Sequence, residues 1–283
     1  MWPCVCRRSV LTRPTVTDAP AEGSGELPEL VFLHTACVHV QTFDGLLREL
    51  RPKTRARHVV REDLLAQAQR SGSDALQLLQ AVTEAVLALE AGPDAVVLCT
   101  CSTIGGLAES AAASTGVRVI RVDRPMAERA VATGPNVLVA VALESTLLPT
   151  ETLILEAASR VGVPVRISRL VIKDAWPLFQ QGNFDAYLSL IGEALKSVKD
   201  CDVIVLAQAS MAGAADLCRS LRVPVLSSPR LGLEFALEVM DTKKAQIRAD
   251  SKDLARTGEK SGLSFSPAGR RSKKLNMHGK QRK

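Results

Sequence analysis

Long apolar runs, aromatic residues and nucleotide-binding glycine motifs are scarce in this 283-residue chain. No apolar run approaches the roughly 18 residues that a membrane span needs, so no membrane partner is expected. Residues 29–240 contain no GxGxxG element and no P-loop, so nothing calls for a dinucleotide or ATP, and we expect no cofactor. Aromatic residues make up 3% of the chain and are not interleaved with its basic C-terminal residues, as they are in platforms for single-stranded nucleic acid.

The cysteine pattern argues against a secreted disulfide framework. The seven cysteines are odd in number, and two pairs are one residue apart, namely Cys4 with Cys6 and Cys99 with Cys101. The chain is also too long for a small disulfide scaffold, so we expect a reducing compartment and a cytoplasmic location. The spacing of Cys37 and His39 is not that of a zinc knuckle, and no metal site is predicted.

Charge is concentrated at the C-terminus. Residues 241–283 carry thirteen Lys or Arg and four Asp or Glu, whereas the total net charge is +6. This segment is polar and short of large apolar residues, so we predict a basic, disordered tail. Contact with nucleic acid through the tail is the alternative to a solvated segment. Residues 1–28 show no periodicity and are predicted to be a disordered extension; a targeting peptide is the alternative, because the first seventeen residues contain three Arg and no acid.

Residues 94–106 combine a strand, a polar turn and the start of a helix. Residues 95–98 form an uninterrupted apolar run, typical of a strand buried on both faces. Hydroxyl and thiol residues follow, and the Ala-rich residues 104–115 predict a helix. The free N–H groups at the start of this helix favour an anion and lower the pKa of a thiol placed there.

The two cysteines of this turn have different surroundings. Cys99 continues the apolar strand and fits a buried cysteine that acts as a small hydrophobic residue. Cys101 lies between hydroxyl side chains, where it is placed for nucleophilic or acid–base chemistry on a carboxylate-bearing substrate. A buried, inert thiol remains the alternative for Cys101.

The same design occurs a second time. Residues 202–213 repeat residues 94–105 at a constant offset, with Leu206 matching Leu98 and Ser210 matching Ser102. Such a duplication predicts an α/β fold of two similar lobes, each a mainly parallel sheet flanked by helices, with a ligand cleft between them. We assign residues 29–132 to lobe 1, completed by residues 227–240, and residues 133–226 to lobe 2.

Eight strands and nine helices are predicted. The strands cover residues 30–33, 57–60, 95–98, 117–122, 137–143, 163–169, 203–207 and 224–226. The helices cover residues 43–50, 63–69, 74–90, 104–115, 125–131, 174–180, 184–199 and 229–240, with one more starting near residue 149. Polar residues follow the first strand of each lobe, His34-Thr35 and Ser145-Thr146. Their hydroxyls suit carboxylate binding; a hydrogen-bonded strand end for His34 and a helix cap for Ser145-Thr146 are the alternatives.

The chain resembles the aspartate/glutamate racemase superfamily, which includes hydantoin racemases, maleate isomerases and arylmalonate decarboxylases. Residues 100–103 (TCST) resemble the first thiol turn of that superfamily, and residues 206–210 (LAQAS) resemble the second. Residues 121–128 (RVDRPMAE) and 227–230 (SSPR) support the likeness, which covers residues 30–240. Two-thiol members carry one cysteine in each lobe, but here Gln208, Ala209 and Ser210 occupy the second position.

The resemblance implies a cofactor-independent enzyme that acts at the carbon next to a carboxylate of an amino acid or small carboxylic acid. Cys101 is the implied catalytic residue of this isomerase-type chemistry. The implied substrate-binding residues are Thr35, Ser102, Thr103, Ser145, Thr146, Gln208 and Ser210. The alternatives are a decarboxylase, an enzyme that adds the thiol to a double bond, and a non-catalytic protein that binds a small carboxylate. The resemblance is also compatible with a homo-oligomer.

Overall fold

Two parallel four-stranded sheets form the framework of the residues that the computed structural model describes, 29–71, 76–92 and 94–258. The strands of the first sheet are β1 (Leu30–His34), β2 (Ala56–Val60), β3 (Val96–Cys99) and β4 (Arg118–Arg121), in the spatial order β2–β1–β3–β4. Those of the second are β5 (Asn136–Val141), β6 (Arg166–Val171), β7 (Val203–Leu206) and β8 (Val225–Ser227), in the order β6–β5–β7–β8. The predicted α/β fold with two similar sheets is therefore confirmed.

Helices connect the strands and cover the faces of both sheets. They are α1 (Val38–Leu50), α2 (Glu62–Ser71), α3 (Leu76–Leu87), α4 (Ser102–Thr115), α5 (Arg124–Thr133), α6 (Leu147–Val161), α7 (Ala175–Gln180), α8 (Phe184–Lys196), α9 (Ala214–Leu217) and α10 (Ser228–Gly258). Single 3-10 turns occupy Glu144–Thr146 and Ala209–Met211. None of the described helices has both the length and the apolar character needed to cross a bilayer.

The last helix of each lobe packs against the other lobe's sheet. Helix α10 buries Leu233 and Leu237 in the cluster that contains Leu30 and Phe32 of β1. Helix α5 buries its apolar face, which includes Met126, against β5 and β7. The predicted boundary of lobe 1 at residue 132 is corrected accordingly: α5 belongs to the core of the second lobe, because its apolar stripe faces that sheet.

The predicted boundary of the tail is also corrected, because α10 continues without a break from residue 240 to Gly258. Residues 241–257 contain no Gly or Pro and include eight Lys, Arg or Ala residues, which favour helix. A helix that is already fixed by packing at Leu233 and Leu237 extends at little further cost. Residues 1–28 and 259–283 lie outside the described residues, so the disordered N-terminal extension and the disordered end of the tail stay predictions.

Helix α10 approaches the first sheet most closely at Gly232. A Cβ atom at this position would lie 2.3 Å from the carbonyl oxygen of Val122 and 2.6 Å from its Cγ2. We expect Gly232→Ala to lower the free energy of unfolding by about 1–3 kcal/mol, because the helix must move away from β4. Urea denaturation measures the change. Gly45→Ala is the control: Gly45 is an exposed residue within α1 with open space around it, so alanine should stabilise by about 0.5–1 kcal/mol. Equal effects of the two substitutions would contradict this packing account.

Candidate active site

Cys101 lies at the junction between β3 and α4. It is the N-cap residue of α4 and has an extended backbone, with φ −113° and ψ 114°. This conformation directs the thiol towards the start of the helix, where it meets the backbone N–H groups of Thr103 and Ile104. The hydroxyls of Thr35, which follows β1, and of Thr103 also contact the thiol. The predicted strand, polar turn and helix are therefore all present around Cys101.

Burial affects the pKa of the Cys101 thiol more than these polar contacts do. The side chain of Cys101 is 8% exposed, and this burial raises the pKa of the thiol. The Thr35 hydroxyl and the helix N–H groups oppose the rise without cancelling it. The prediction that the turn lowers the pKa of this thiol is therefore wrong, because the net shift is a rise. At neutral pH Cys101 is a thiol, which suits it to donate a proton before it accepts one.

The raised pKa of Cys101 has a measurable consequence. Alkylation by iodoacetamide requires the thiolate, so the reaction at Cys101 should be slow at pH 7 and should accelerate through a midpoint above the ordinary value of about 8.5. The rate assigned to Cys101 is the difference between the wild type and Cys101→Ser, followed by mass spectrometry. A midpoint below that ordinary value would contradict the dominance of burial.

Gln208 occupies in lobe 2 the place that Cys101 has in lobe 1. Leu33 of β1 pairs with Cys99, and Ala140 of β5 pairs with Leu206, which sets the structural offset between the lobes at 107 residues. Gln208 is correspondingly an extended N-cap residue, with φ −115° and ψ 137°. The sequence offset of 108, which matches Ser102 with Ser210, is thus one residue too long at this turn.

The side chain of Gln208 is fixed by the neighbouring strand end. Its Oε1 accepts hydrogen bonds from the backbone N–H groups of Ala142 at 2.7 Å and Leu143 at 3.1 Å. Because both bonds use the carbonyl oxygen, the amide group has a defined orientation at the cleft. Its side chain has no titratable group, so Gln208 does not replace the second thiol as an acid or base.

A cavity of about 30 Å³ lies between the two turns. Of the eight predicted site residues, seven line it: Thr35, Cys101, Ser102, Thr103, Thr146, Gln208 and Ser210. Ser145 is not in the lining, and its buried Oγ has no hydrogen-bond partner among the described residues. This volume holds two or three water molecules, and the cavity is partly open to solvent.

The hydroxyls of the cavity differ in how they are used. The Oγ1 atoms of Thr103 and Thr146 are 3.1 Å apart and form a hydrogen bond that joins the two lobes. Ser210 bonds to the hydroxyl of Tyr187 at 2.8 Å. The Oγ of Ser102 is buried and has no partner among the described residues. A buried polar atom without a partner costs free energy, so Ser102 is the hydroxyl with most to gain from a ligand.

Sequence reasoning missed three large side chains of the cavity. His39 projects from the first turn of α1, and Trp176 and Phe179 project from α7, where their rings stack with centroids 4.9 Å apart. His39 was missed because the helix was predicted to start at residue 43 and not at Val38. The spacing of Trp176 and Phe179, three residues apart on one helix face, was the available signal for the stacked pair.

Charged groups lie beside the cavity and not in it. None of the described residues that line it is Asp, Glu, Lys or Arg. Arg121 is held behind α4 in a buried ion pair with Asp123, at 2.7 Å, and Arg124 pairs with Glu109. No group of three or more possible metal ligands occurs among the described residues.

His34 is not part of the cavity lining. Its Nδ1 is 2.8 Å from Oγ1 of Thr100, and its Nε2 is 2.8 Å from Nδ1 of His58, whose Nε2 lies 3.0 Å from a carboxylate oxygen of Asp44. His34 is thus a hydrogen-bonded strand-end residue, as one of the two sequence interpretations proposed. Burial lowers its pKa to about 2, so the ring is neutral.

No protein-family model and no curated protein matches this sequence. Solved structures do match it. A glutamate racemase isoform from Bacillus anthracis aligns with a TM-score of 0.57 and 14% identity over 77% of this chain and 82% of that chain. For aspartate racemase from Picrophilus torridus the TM-score is 0.56 and the identity 11%, over 77% of this chain and 95% of that chain. Glutamate racemase from Thermus thermophilus, in complex with beta-chloro-D-alanine, aligns with a TM-score of 0.54 and 17% identity over 78% of this chain and 82% of that chain. Identities this low establish the architecture alone: the chain has the fold of the aspartate and glutamate racemases.

Proposed function

We propose that the protein is a cofactor-independent enzyme that moves a proton at the carbon next to a carboxylate of an amino acid or small carboxylic acid. The observation that carries the proposal is the position of Cys101, whose thiol meets both helix N–H groups and hydroxyls in a cavity between the two lobes. The solved structures compared above are aspartate and glutamate racemases, so these two amino acids are the first substrates to test.

The chemistry requires stabilisation of negative charge on the substrate. Removal of an α-proton places charge on the carboxylate oxygens of an enolate, and donors aimed at that charge lower the barrier. The N–H groups at the start of α4, with the hydroxyls of Thr35, Ser102 and Thr146, are the donors that we assign to the carboxylate. Gln208 orients it from lobe 2, since its amide is fixed by Ala142 and Leu143.

Cys101 acts first as a proton donor in this scheme. Its raised pKa keeps the proton on sulfur until a carbanion forms next to it. A decarboxylation that ends in protonation on one face would use the same thiol in the same state. Isomerisation is the function that we assign, since the racemases compared above align with TM-scores above 0.5.

The hydroxyls of Thr103 and Thr146 border the cavity from different lobes and form a hydrogen bond to each other. A carboxylate that enters between them replaces this bond, and each hydroxyl then bonds to the ligand. Binding therefore exchanges one hydrogen bond between the lobes for two hydrogen bonds to the ligand.

The test is solvent exchange of the α-proton. The purified protein is incubated in D2O with L- and D-aspartate and L- and D-glutamate, and with a panel of small dicarboxylates, and loss of the α-proton signal is followed by NMR. We expect exchange of at least one compound at a rate that depends on enzyme concentration. Absence of exchange for every compound, in protein whose fold is verified by circular dichroism, would contradict the proposal for these substrates.

A second candidate function is binding of a small carboxylate without catalysis. Two observations favour it: burial raises the pKa of Cys101, and Gln208 stands where the second thiol would be. Calorimetric titration with the same compounds separates the two functions. Binding without exchange supports a carboxylate-binding protein, whereas exchange supports the enzyme.

A further inference from the structure

His39 shares the cavity with Cys101. Its side chain is 8% exposed and projects from the first turn of α1. The backbone N–H of His39 donates a hydrogen bond of 3.2 Å to the carbonyl oxygen of Ala36. Of the described residues that line the cavity, only His39 and Cys101 carry titratable side chains. Both side chains therefore border the cavity that lies between the two lobes. They reach that space from different elements, α1 and the β3–α4 turn.

Inversion at a carbon needs a second acid–base group, and Gln208 cannot supply it. We propose that His39 is the second acid–base residue of the reaction and stands in for the missing thiol of lobe 2. This inference rests on the proposed function, since it assigns a role in the same reaction. Both acid–base groups would then come from the first lobe, since the second lobe has Gln208 at the turn that matches Cys101.

The other histidines of this region are already engaged. The carboxylate of Asp44 accepts a hydrogen bond from Nε2–H of His58, so the neutral His58 ring accepts at Nδ1 from Nε2–H of His34. His34 in turn accepts at Nδ1 from the hydroxyl of Thr100. His39 stands outside this chain and meets it through the ring of His34, with centroids 6.4 Å apart.

The protonation states fit the assignment. Burial lowers the pKa of His39 to about 4, and burial raises that of Cys101, so both groups are neutral at pH 7. The neutral imidazole takes the α-proton as the C–H bond breaks, and the electron pair moves into the carboxylate to give an enolate. The S–H bond of Cys101 then breaks, and its proton is delivered to the carbon. The resulting imidazolium and thiolate return to neutrality when a proton passes between them through solvent, after product leaves.

The test compares His39→Gln with Cys101→Ser in D2O, using both enantiomers of aspartate and glutamate. Two-base chemistry predicts that both variants lose inversion by about 10²–10⁴-fold, the usual contribution of one acid–base group. Each variant should still exchange the α-proton of one enantiomer, and the two variants should prefer opposite enantiomers. A residue that merely supports the fold would not produce this mirror-image pattern. His58→Gln is the matched control: it alters the histidine chain without changing the cavity lining and should keep inversion within about threefold of the wild type, well short of the loss from removing an acid–base group.

The outcomes separate this inference from the proposed function. Inversion retained by His39→Gln, or loss of exchange for both enantiomers alike in that variant, would remove His39 as a second base. Exchange without inversion in the wild type would also overturn the inference, while leaving the proposed proton chemistry in place. Absence of any exchange in the wild type would instead contradict the proposed function itself. Thermal melting of each variant verifies that the fold is kept.

Discussion

Replacement of Cys101 with serine is expected to slow inversion of the substrate's α-carbon by about 10²–10⁴-fold, the range that one acid–base group contributes. Serine keeps the size of the side chain and can still contact Thr35 and the helix N–H groups. Its hydroxyl, however, does not exchange a proton in the range where a thiol does. The loss should therefore appear in turnover and not in substrate affinity. Polarimetry measures inversion, and calorimetric titration measures binding.

Cys99 provides the matched control for this substitution. It lies two residues from Cys101, and burial and the neighbouring Cys101 raise its pKa, but it faces the core of lobe 1 and does not line the cavity. Cys99→Ala should lower stability by about 1 kcal/mol, because it leaves a small cavity, and should retain turnover. Equal turnover of Cys101→Ser and the wild type would remove Cys101 from the mechanism.

Removal of the carboxylate of Asp123 should be the most damaging single change to stability. The side chains of Arg121 and Asp123 are 5% and 0% exposed and are joined by two hydrogen bonds, at 2.7 and 2.9 Å. Asp123→Ala leaves the guanidinium buried without its counter-charge, which costs about 3–5 kcal/mol. Arg121 also donates to the carbonyl of Pro149, so its displacement loosens the contact between the lobes. Urea denaturation measures the loss.

Two further variants make this prediction specific. The double variant Arg121→Met with Asp123→Leu removes both charges together and should recover most of the stability, because an apolar pair needs no counter-charge. Asp216→Ala breaks the exposed pair of Asp216 with Arg219, whose side chains are 70% and 81% exposed, and should change stability little. Equal effects of Asp123→Ala and Asp216→Ala would contradict the account of the buried pair.

The strands and the thiol turn could be predicted from the sequence because their signals are local. Apolar runs such as residues 203–207 mark strands that are buried on both faces, and all eight predicted strands are present within a few residues. Cys101 was identified because polar residues interrupt the apolar pattern at the point where the strand ends and the helix begins. The internal repeat then predicted two sheets with a cleft between them.

The features that could not be predicted depend on contacts distant in sequence. The apolar stripe of α5 can be recognised in the sequence. The sequence does not show which of the two similar sheets this stripe covers. Helix α1 starts at Val38, five residues earlier than predicted, so His39 was not recognised as a helix residue that borders the cavity. The equivalence of Gln208 and Cys101 follows only from the strand pairing in the two sheets. The net pKa shift of Cys101 depends mainly on burial, and the polar residues next to Cys101 in the sequence do not indicate how deeply it is buried.

The most direct test of the central claim is deuterium incorporation at the α-carbon, measured by NMR for the wild type and Cys101→Ser side by side. Aspartate and glutamate, each as both enantiomers, are the substrates. The account predicts enzyme-dependent incorporation in the wild type, with at least one enantiomer losing it in Cys101→Ser. Incorporation that is identical in the two proteins would show that the thiol takes no part. No incorporation in either protein would contradict proton chemistry on these amino acids.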